Sequence, residues 1–92
     1  MPSVTSRTTK RFRKLLADLP PRVQKQAREA YIAWARDPWQ ANLQFKQIHA
    51  TRPIFSARID IDWRAVCIRS GDNALWFFIG SHADYEKLIK TL

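Results

Sequence analysis

The chain has few devices that would staple or anchor it. Cys67 is the only cysteine in 92 residues, so no internal disulfide can form. It falls in an alternating strand pattern where a small apolar residue belongs, which favours core packing over a catalytic thiol. The longest apolar run, Ala74 to Ile79, is too short to span a bilayer. The basic, polar segment from Met1 to Lys14 contains no apolar stretch of signal-peptide length. We therefore expect a soluble cytoplasmic protein with no membrane partner. No internal repeat or low-complexity tract is evident. A chain this short has room for one domain, residues 1–92, with one modest core and no second domain to build a deep cleft. Function is expected on an open surface.

Acidic residues are also scarce. Eight Asp and Glu stand against sixteen Lys and Arg, a formal charge of +8, which attracts a polyanion such as nucleic acid or an acidic protein segment. Ten of the sixteen are Arg, whose planar fork suits phosphate and carboxylate better than an ammonium does. A disordered basic tail is excluded, because 46% hydrophobic residues, with four Trp and five Phe, bury enough apolar area to offset chain entropy. Charge alone does not choose among ribosomal proteins, nucleases, DNA binders and toxins held by acidic partners.

The first half reads as a helical hairpin. Phe12, Leu15, Leu16 and Leu19 follow the i, i+3, i+4, i+7 spacing of one buried stripe, and Pro20-Pro21 ends that helix. A second stripe runs through Val23, Ala27, Ala30, Tyr31 and Trp34 and closes at Asp37-Pro38. Ser3 to Arg7 has some β-branched character and is a weak candidate for a short strand. After Trp39 the period becomes two. Leu43, Phe45 and Ile48 suggest a strand that weakens near Thr51-Arg52-Pro53. Phe55, Ala57, Ile59 and Ile61 then point one way, and Ser56, Arg58 and Asp60 the other. Trp63, Ala65 and Cys67 oppose Arg64, Val66 and Ile68. Ser70-Gly71-Asp72-Asn73 is a tight-turn sequence, and Ala74 to Gly80 is apolar on both faces, as in a central strand. Tyr85, Leu88, Ile89 and Leu92 form a last helical stripe. These elements predict an α+β fold, with a helical hairpin on one face of an antiparallel sheet of about four strands and a short C-terminal helix.

The order of Leu43-Gln44-Phe45-Lys46-Gln47-Ile48, Phe55-Ser56-Ala57-Arg58-Ile59, Trp63-Arg64-Ala65-Val66 and Phe78-Ile79-Gly80-Ser81-His82 resembles the RelE/ParE superfamily of bacterial toxins from type II toxin-antitoxin systems. The likeness covers nearly the whole chain, and the ending Gly80 to Tyr85 looks most like RelE-type or HigB-like members. The resemblance implies a cognate antitoxin as partner and an oligomeric toxin-antitoxin complex. RelE-like members cut messenger RNA in the ribosomal A site, whereas ParE-like members inhibit DNA gyrase on the same fold, so fold does not settle function. Two departures stand out: Ser56 where a lysine is often found, and Ser81-His82-Ala83-Asp84 in place of an arginine-rich segment.

Metal-independent RNA cleavage needs help in deprotonating a ribose 2′-hydroxyl, cations for the phosphorane-like transition state and an acid for the departing 5′-oxygen. It calls for no cofactor. His82 is the leading proton-transfer candidate, because a histidine ordinarily exchanges protons near neutral pH. The resemblance implies that Arg64, following Trp63, holds the scissile phosphate, with Arg58 beside it. Tyr85 offers a ring for base stacking or a hydroxyl near the phosphate. Lys46, His49 and Arg52 are candidate RNA contacts, His49 also a second proton-transfer group. Each has a plain rival: Ser81 to Asp84 reads as a capped helix start containing His82, Tyr85 as core, Arg58 as an ion-pair partner of Asp60 or Asp62, and His49 as a surface residue. A noncatalytic module, whether a gyrase inhibitor or a degenerate toxin that only binds antitoxin, stays open. So does a direct nucleic-acid binder.

Overall fold

Thr9 starts the helical hairpin. Its Oγ1 accepts a hydrogen bond from the Phe12 amide at 3.0 Å, an N-cap of the kind that contributes about 1 kcal/mol. The computed structural model describes residues 5–92. Strand β1 spans Thr5–Thr8, helix α1 Lys10–Ala17 and helix α2 Pro21–Arg36. Pro21 sits at the start of α2, where its missing N–H costs nothing. The Gln24 amide donates to the carbonyls of Leu19 at 2.9 Å and Ala17 at 3.2 Å, which ties the two helices at their junction.

A short 3-10 turn at Ala41–Leu43 leads to β2, Lys46–Gln47, then β3, Ile54–Asp60, β4, Trp63–Ser70, β5, Asn73–Ser81, and helix α3, His82–Thr91. The strand order is β1-β5-β4-β3-β2. β2 to β5 form the antiparallel meander read from the sequence, and β1 adds a fifth strand parallel to β5. The weak strand signal at Ser3 to Arg7 falls partly outside the described residues; β1 begins at Thr5. The turn between β4 and β5 is the two-residue Gly71-Asp72, with Gly71 at φ +57°, a left-handed conformation that suits glycine.

The expected strand from Leu43 to Ile48 is much shorter. Leu43 ends the 3-10 turn and only Lys46 and Gln47 pair with β3. Leu43 and Phe45 are both buried in the core, and a 3-10 turn broken at Gln44 imitates period-two alternation over so few residues. Ile61, expected to face inward, lies in the β3–β4 turn and is 69% exposed.

The two faces of the sheet are covered differently. The hairpin packs over Ala57, Ala65, Cys67, Trp76 and Ile79, with Trp34 edge-on to Phe45 and Trp76 at 5.7 and 5.2 Å between ring centroids. α3 crosses the opposite face, where Tyr85 joins Ile54, Val66 and Phe78, flanked by Leu88 and Ile89. At one border the Arg69 guanidinium lies over the rings of Trp39, Phe45 and Phe55 at 5.2 to 5.9 Å, a cation set against three aromatic faces.

Cys67 is fully buried. Burial pushes its thiol from the ordinary 9.0 up to about 12, against a smaller opposing pull from Arg69. Between those values the unfolded chain releases the proton and the folded chain keeps it, so the thiol makes stability fall as pH rises through that window. At pH 8 the folded protein should therefore react with a thiol reagent only as fast as it unfolds, with labelling accelerated by denaturant when followed by mass spectrometry. Immediate stoichiometric labelling of the native protein would contradict the buried assignment.

Candidate functional site

β3 and β4 pair so that Arg58 lies directly opposite Arg64. Both project from the face that α3 only partly covers, and together with Lys46 they line a groove of about 220 Å³ bounded by His82, Tyr85, Glu86 and Gln44. Like charges directly opposite on neighbouring strands are destabilising. Neither arginine has a carboxylate partner among the described residues. Asp60, the expected rival partner of Arg58, instead lies 3.7 Å from Arg22 and accepts the Asp62 amide at 2.8 Å.

Arg64 is braced by backbone. Its Nη1 donates to the Asp60 carbonyl at 2.6 Å and to its neighbour Trp63 at 3.0 Å. One edge of the guanidinium is thus fixed on the β3–β4 turn, which orients the remaining donors. Gly80 pairs with Arg64 across β4 and β5. A Cβ there would meet the tip of the Phe78 ring at 2.9 Å, so glycine lets that ring pack against the β5 backbone.

His82 is the first residue of α3 and half exposed, its Nε2 3.4 Å from Glu86 Oε1 one turn along. Its amide donates to the Asp62 carbonyl at 2.6 Å, and the Ser81 hydroxyl caps the helix by accepting from the Asp84 amide at 3.1 Å. Cap and groove thus coexist: the helix start is what carries the imidazole to the groove. Tyr85 takes the core position that was its plain rival reading, with its hydroxyl at the groove. Its ring is buried among Ile54, Val66 and Phe78, its centroid 6.1 Å from that of His82, and its hydroxyl donates to Ser56 Oγ at 3.2 Å under the groove. Ser56 is 2% exposed, so the position expected from the resemblance to hold a lysine is a buried hydroxyl roofed by Tyr85.

The remaining candidates separate. Lys46 pairs with Ser56 and reaches the groove. His49 does not line it. Its Nδ1 accepts from the amides of Arg52 at 2.9 Å and Thr51 at 3.1 Å, leaving Nε2 to donate to the Leu92 carbonyl at 3.2 Å. Both ring nitrogens are occupied in holding the β2–β3 loop to the end of α3. Arg52 belongs to that same exposed loop, where its carbonyl accepts from Gln47 Nε2 at 2.8 Å. Gln44, Ser56 and Glu86 line the groove and were not among the sequence candidates. The spacing of Glu86 four residues after His82 on a helix was the available signal for one of them.

A larger cavity of about 340 Å³ lies between the hairpin and the sheet, lined by Phe12, Leu16, Tyr31, Trp34 and Trp76 among others. It offers no carboxylate or imidazole. Among the described residues no group of three or more His, Cys, Asp or Glu could hold a metal ion, and no helix is long and apolar enough to cross a membrane.

Comparison with known proteins fits this fold. The family model of the ParE-like toxin domain matches residues 21–87, well over half of the chain. The chain belongs to the ParE-like toxin domain family, within the RelE/ParE superfamily. Solved structures share the fold. The toxin-antitoxin complex RelBE2 from Mycobacterium tuberculosis matches at TM-score 0.70 and 23% identity, covering 87% of this chain and 99% of that one. YafQ from Escherichia coli strain BL21(DE3) matches at TM-score 0.72 and 12% identity, covering 87% and 94%. The RelB-RelE antitoxin-toxin complex from Methanococcus jannaschii matches at 0.66 and 16%, covering 88% and 95%. No curated protein sequence matches the chain.

The Tyr85–Ser56 contact generates a stability test. Ser56→Ala and Tyr85→Phe should each cost about 1–3 kcal/mol, because each leaves the partner hydroxyl unpaired. The double variant should lose less than the sum of the two, as read from urea midpoints. Additive losses would show that the two hydroxyls are not coupled.

Proposed function

We propose that this chain is the toxin of a type II toxin-antitoxin system and acts as an endoribonuclease on messenger RNA at the ribosome. The observation that carries the reading is the cross-strand pair of Arg58 and Arg64, two like charges without a carboxylate partner among the described residues, beside a half-exposed imidazole. A phosphate between them would convert a repulsion into two charge-assisted contacts.

In the proposed reaction the ribose 2′-oxygen attacks the adjacent phosphorus and the bond to the 5′-oxygen breaks. The products are a 2′,3′-cyclic phosphate and a free 5′-hydroxyl. Arg64, held by the turn carbonyls, and Arg58 stabilise charge on the nonbridging oxygens. His82 transfers a proton at the 2′-oxygen or the 5′-oxygen, with Glu86 available to pair with its charged form. Tyr85 is held under the groove by Ser56 and acts through its hydroxyl and the edge of its ring rather than as an open stacking platform. Lys46 adds a third cation. A shallow groove with one imidazole depends on the ribosome to orient the RNA, since positioning supplies much of such a barrier reduction. The net charge of +8 fits an acidic antitoxin segment that covers this face, in a cytoplasmic complex whose stoichiometry depends on the antitoxin.

The second reading is a noncatalytic ParE-like inhibitor of gyrase, favoured by the family model that matches residues 21–87. The two separate in one experiment: expression of the toxin followed by mapping of messenger RNA ends and measurement of growth. Under the ribonuclease reading Arg64→Ala lowers cleavage about 10²–10³-fold, the scale for losing one oxyanion donor, and His82→Ala about 10²–10⁴-fold, with growth restored in parallel. Intact messenger RNA and undiminished growth inhibition in folded variants would transfer the assignment to the gyrase reading.

A further inference from the structure

We infer that Gln44 reads the base next to the phosphate held by Arg58 and Arg64 and that its amide selects adenine, an inference that rests on the ribonuclease reading above. Gln44 has φ +44° and ψ +42° and is the only non-glycine residue with positive φ among the described residues. The fold needs this left-handed turn. It ends the 3-10 turn, gives the Gln44 amide to the Ala41 carbonyl at 3.2 Å, and lets both Leu43 and Phe45 enter the same core. The fold does not need a glutamine to make it. Glycine adopts the conformation without a Cβ clash, whereas any other residue carries a standing cost.

That cost brings no internal contact. The Gln44 side chain is exposed, and its carboxamide makes no hydrogen bond among the described residues. Residues held in sparsely populated backbone regions gather at ligand sites, where the strain fixes a group in place. Gln44 stands at such a place, lining the same groove as Lys46, Arg58 and Arg64. The cations there contact phosphate, and phosphate contacts position a nucleic acid without reading its sequence. The Gln44 amide is the neutral group that distinguishes bases, because it presents a donor and an acceptor side by side. That pair matches the N6 amino group and N7 of adenine, on a base edge that unpaired RNA leaves accessible.

The test uses short single-stranded RNAs made uncleavable by 2′-O-methylation, differing only in the base at one position, together with mapped cut sites in ribosome-bound messenger RNA. The wild-type chain should bind the adenine RNA about 5–150-fold more tightly than the others, the range of one good bidentate pair. Gln44→Gly should remain folded, with a melting midpoint unchanged or a few degrees higher, lose that preference and cut at a broader set of sites. Gln44→Glu should turn the preference toward cytosine, whose N4 amino group donates to a carboxylate. A Gln44→Gly chain that binds and cuts with the wild-type base preference overturns the inference and leaves the ribonuclease reading standing. So does a wild-type chain that binds and cuts RNA without base preference. A wild-type chain that neither binds nor cuts RNA overturns both.

Discussion

Everything at the groove depends on the register between β3 and β4. The pairing of Ala57 with Ala65 and of Arg58 with Arg64 sends two alanines into the hairpin core and two guanidiniums to the other face. A slip of one residue would exchange these sets, burying charge and exposing core. The register is therefore held by burial: Val66 and Cys67, adjacent on β4, are each 0% exposed on opposite faces. The same constraint that builds the core forces the two arginines together. Their mutual repulsion, on the order of a few tenths to 1 kcal/mol for directly opposed like charges, is small beside the burial that imposes it. The fold tolerates the pair, and a phosphate would relieve it.

Helix α3 turns this charged strip into a groove. Without it, Ile54, Val66 and Phe78 would face water and the arginines would lie on an open sheet. Ser81 starts the helix, Tyr85 anchors it one turn later, and the face between them brings His82 and Glu86 to the groove. The helix that packs on the sheet is also the one that carries His82 and Glu86, so loss of Tyr85 packing would displace His82 as well. His49 supports the other end by joining its loop to Leu92. Its imidazole works as a fixed hydrogen-bond bridge that uses both nitrogens.

Much of this is legible in the sequence. Period-two alternation put Arg58 and Arg64 on the face opposite Ala57, Ala65 and Cys67, and helical stripes placed both hairpin helices and α3. What escaped depends on contacts distant in sequence or on short windows. β1 is four residues long and is held by a parallel partner far along the chain, so local propensity barely marks it. Leu43 and Phe45 alternate like a strand because a left-handed residue between them returns both to one core. Ser56 looked like a departure from a family pattern, and its partner is the Tyr85 hydroxyl 29 residues away. No reading of the strand alone could supply that.

Ser56 also bears on how labour is divided in the groove. A lysine at this position would have to displace the Tyr85 hydroxyl or bury an ammonium at a site where the serine is 2% exposed, and desolvating a charge there is costly. The serine and the tyrosine therefore form one unit: the smaller side chain lets Tyr85 seat its ring in the core and bring its hydroxyl beneath the groove. With no cation at that point, the positive charge comes from the neighbouring row, Arg58 and Arg64, and from Lys46 at the short edge strand. Serine here leaves the groove its cationic character through Lys46, Arg58 and Arg64, and of these the Arg64 guanidinium is the one that the backbone of the β3–β4 turn holds in place.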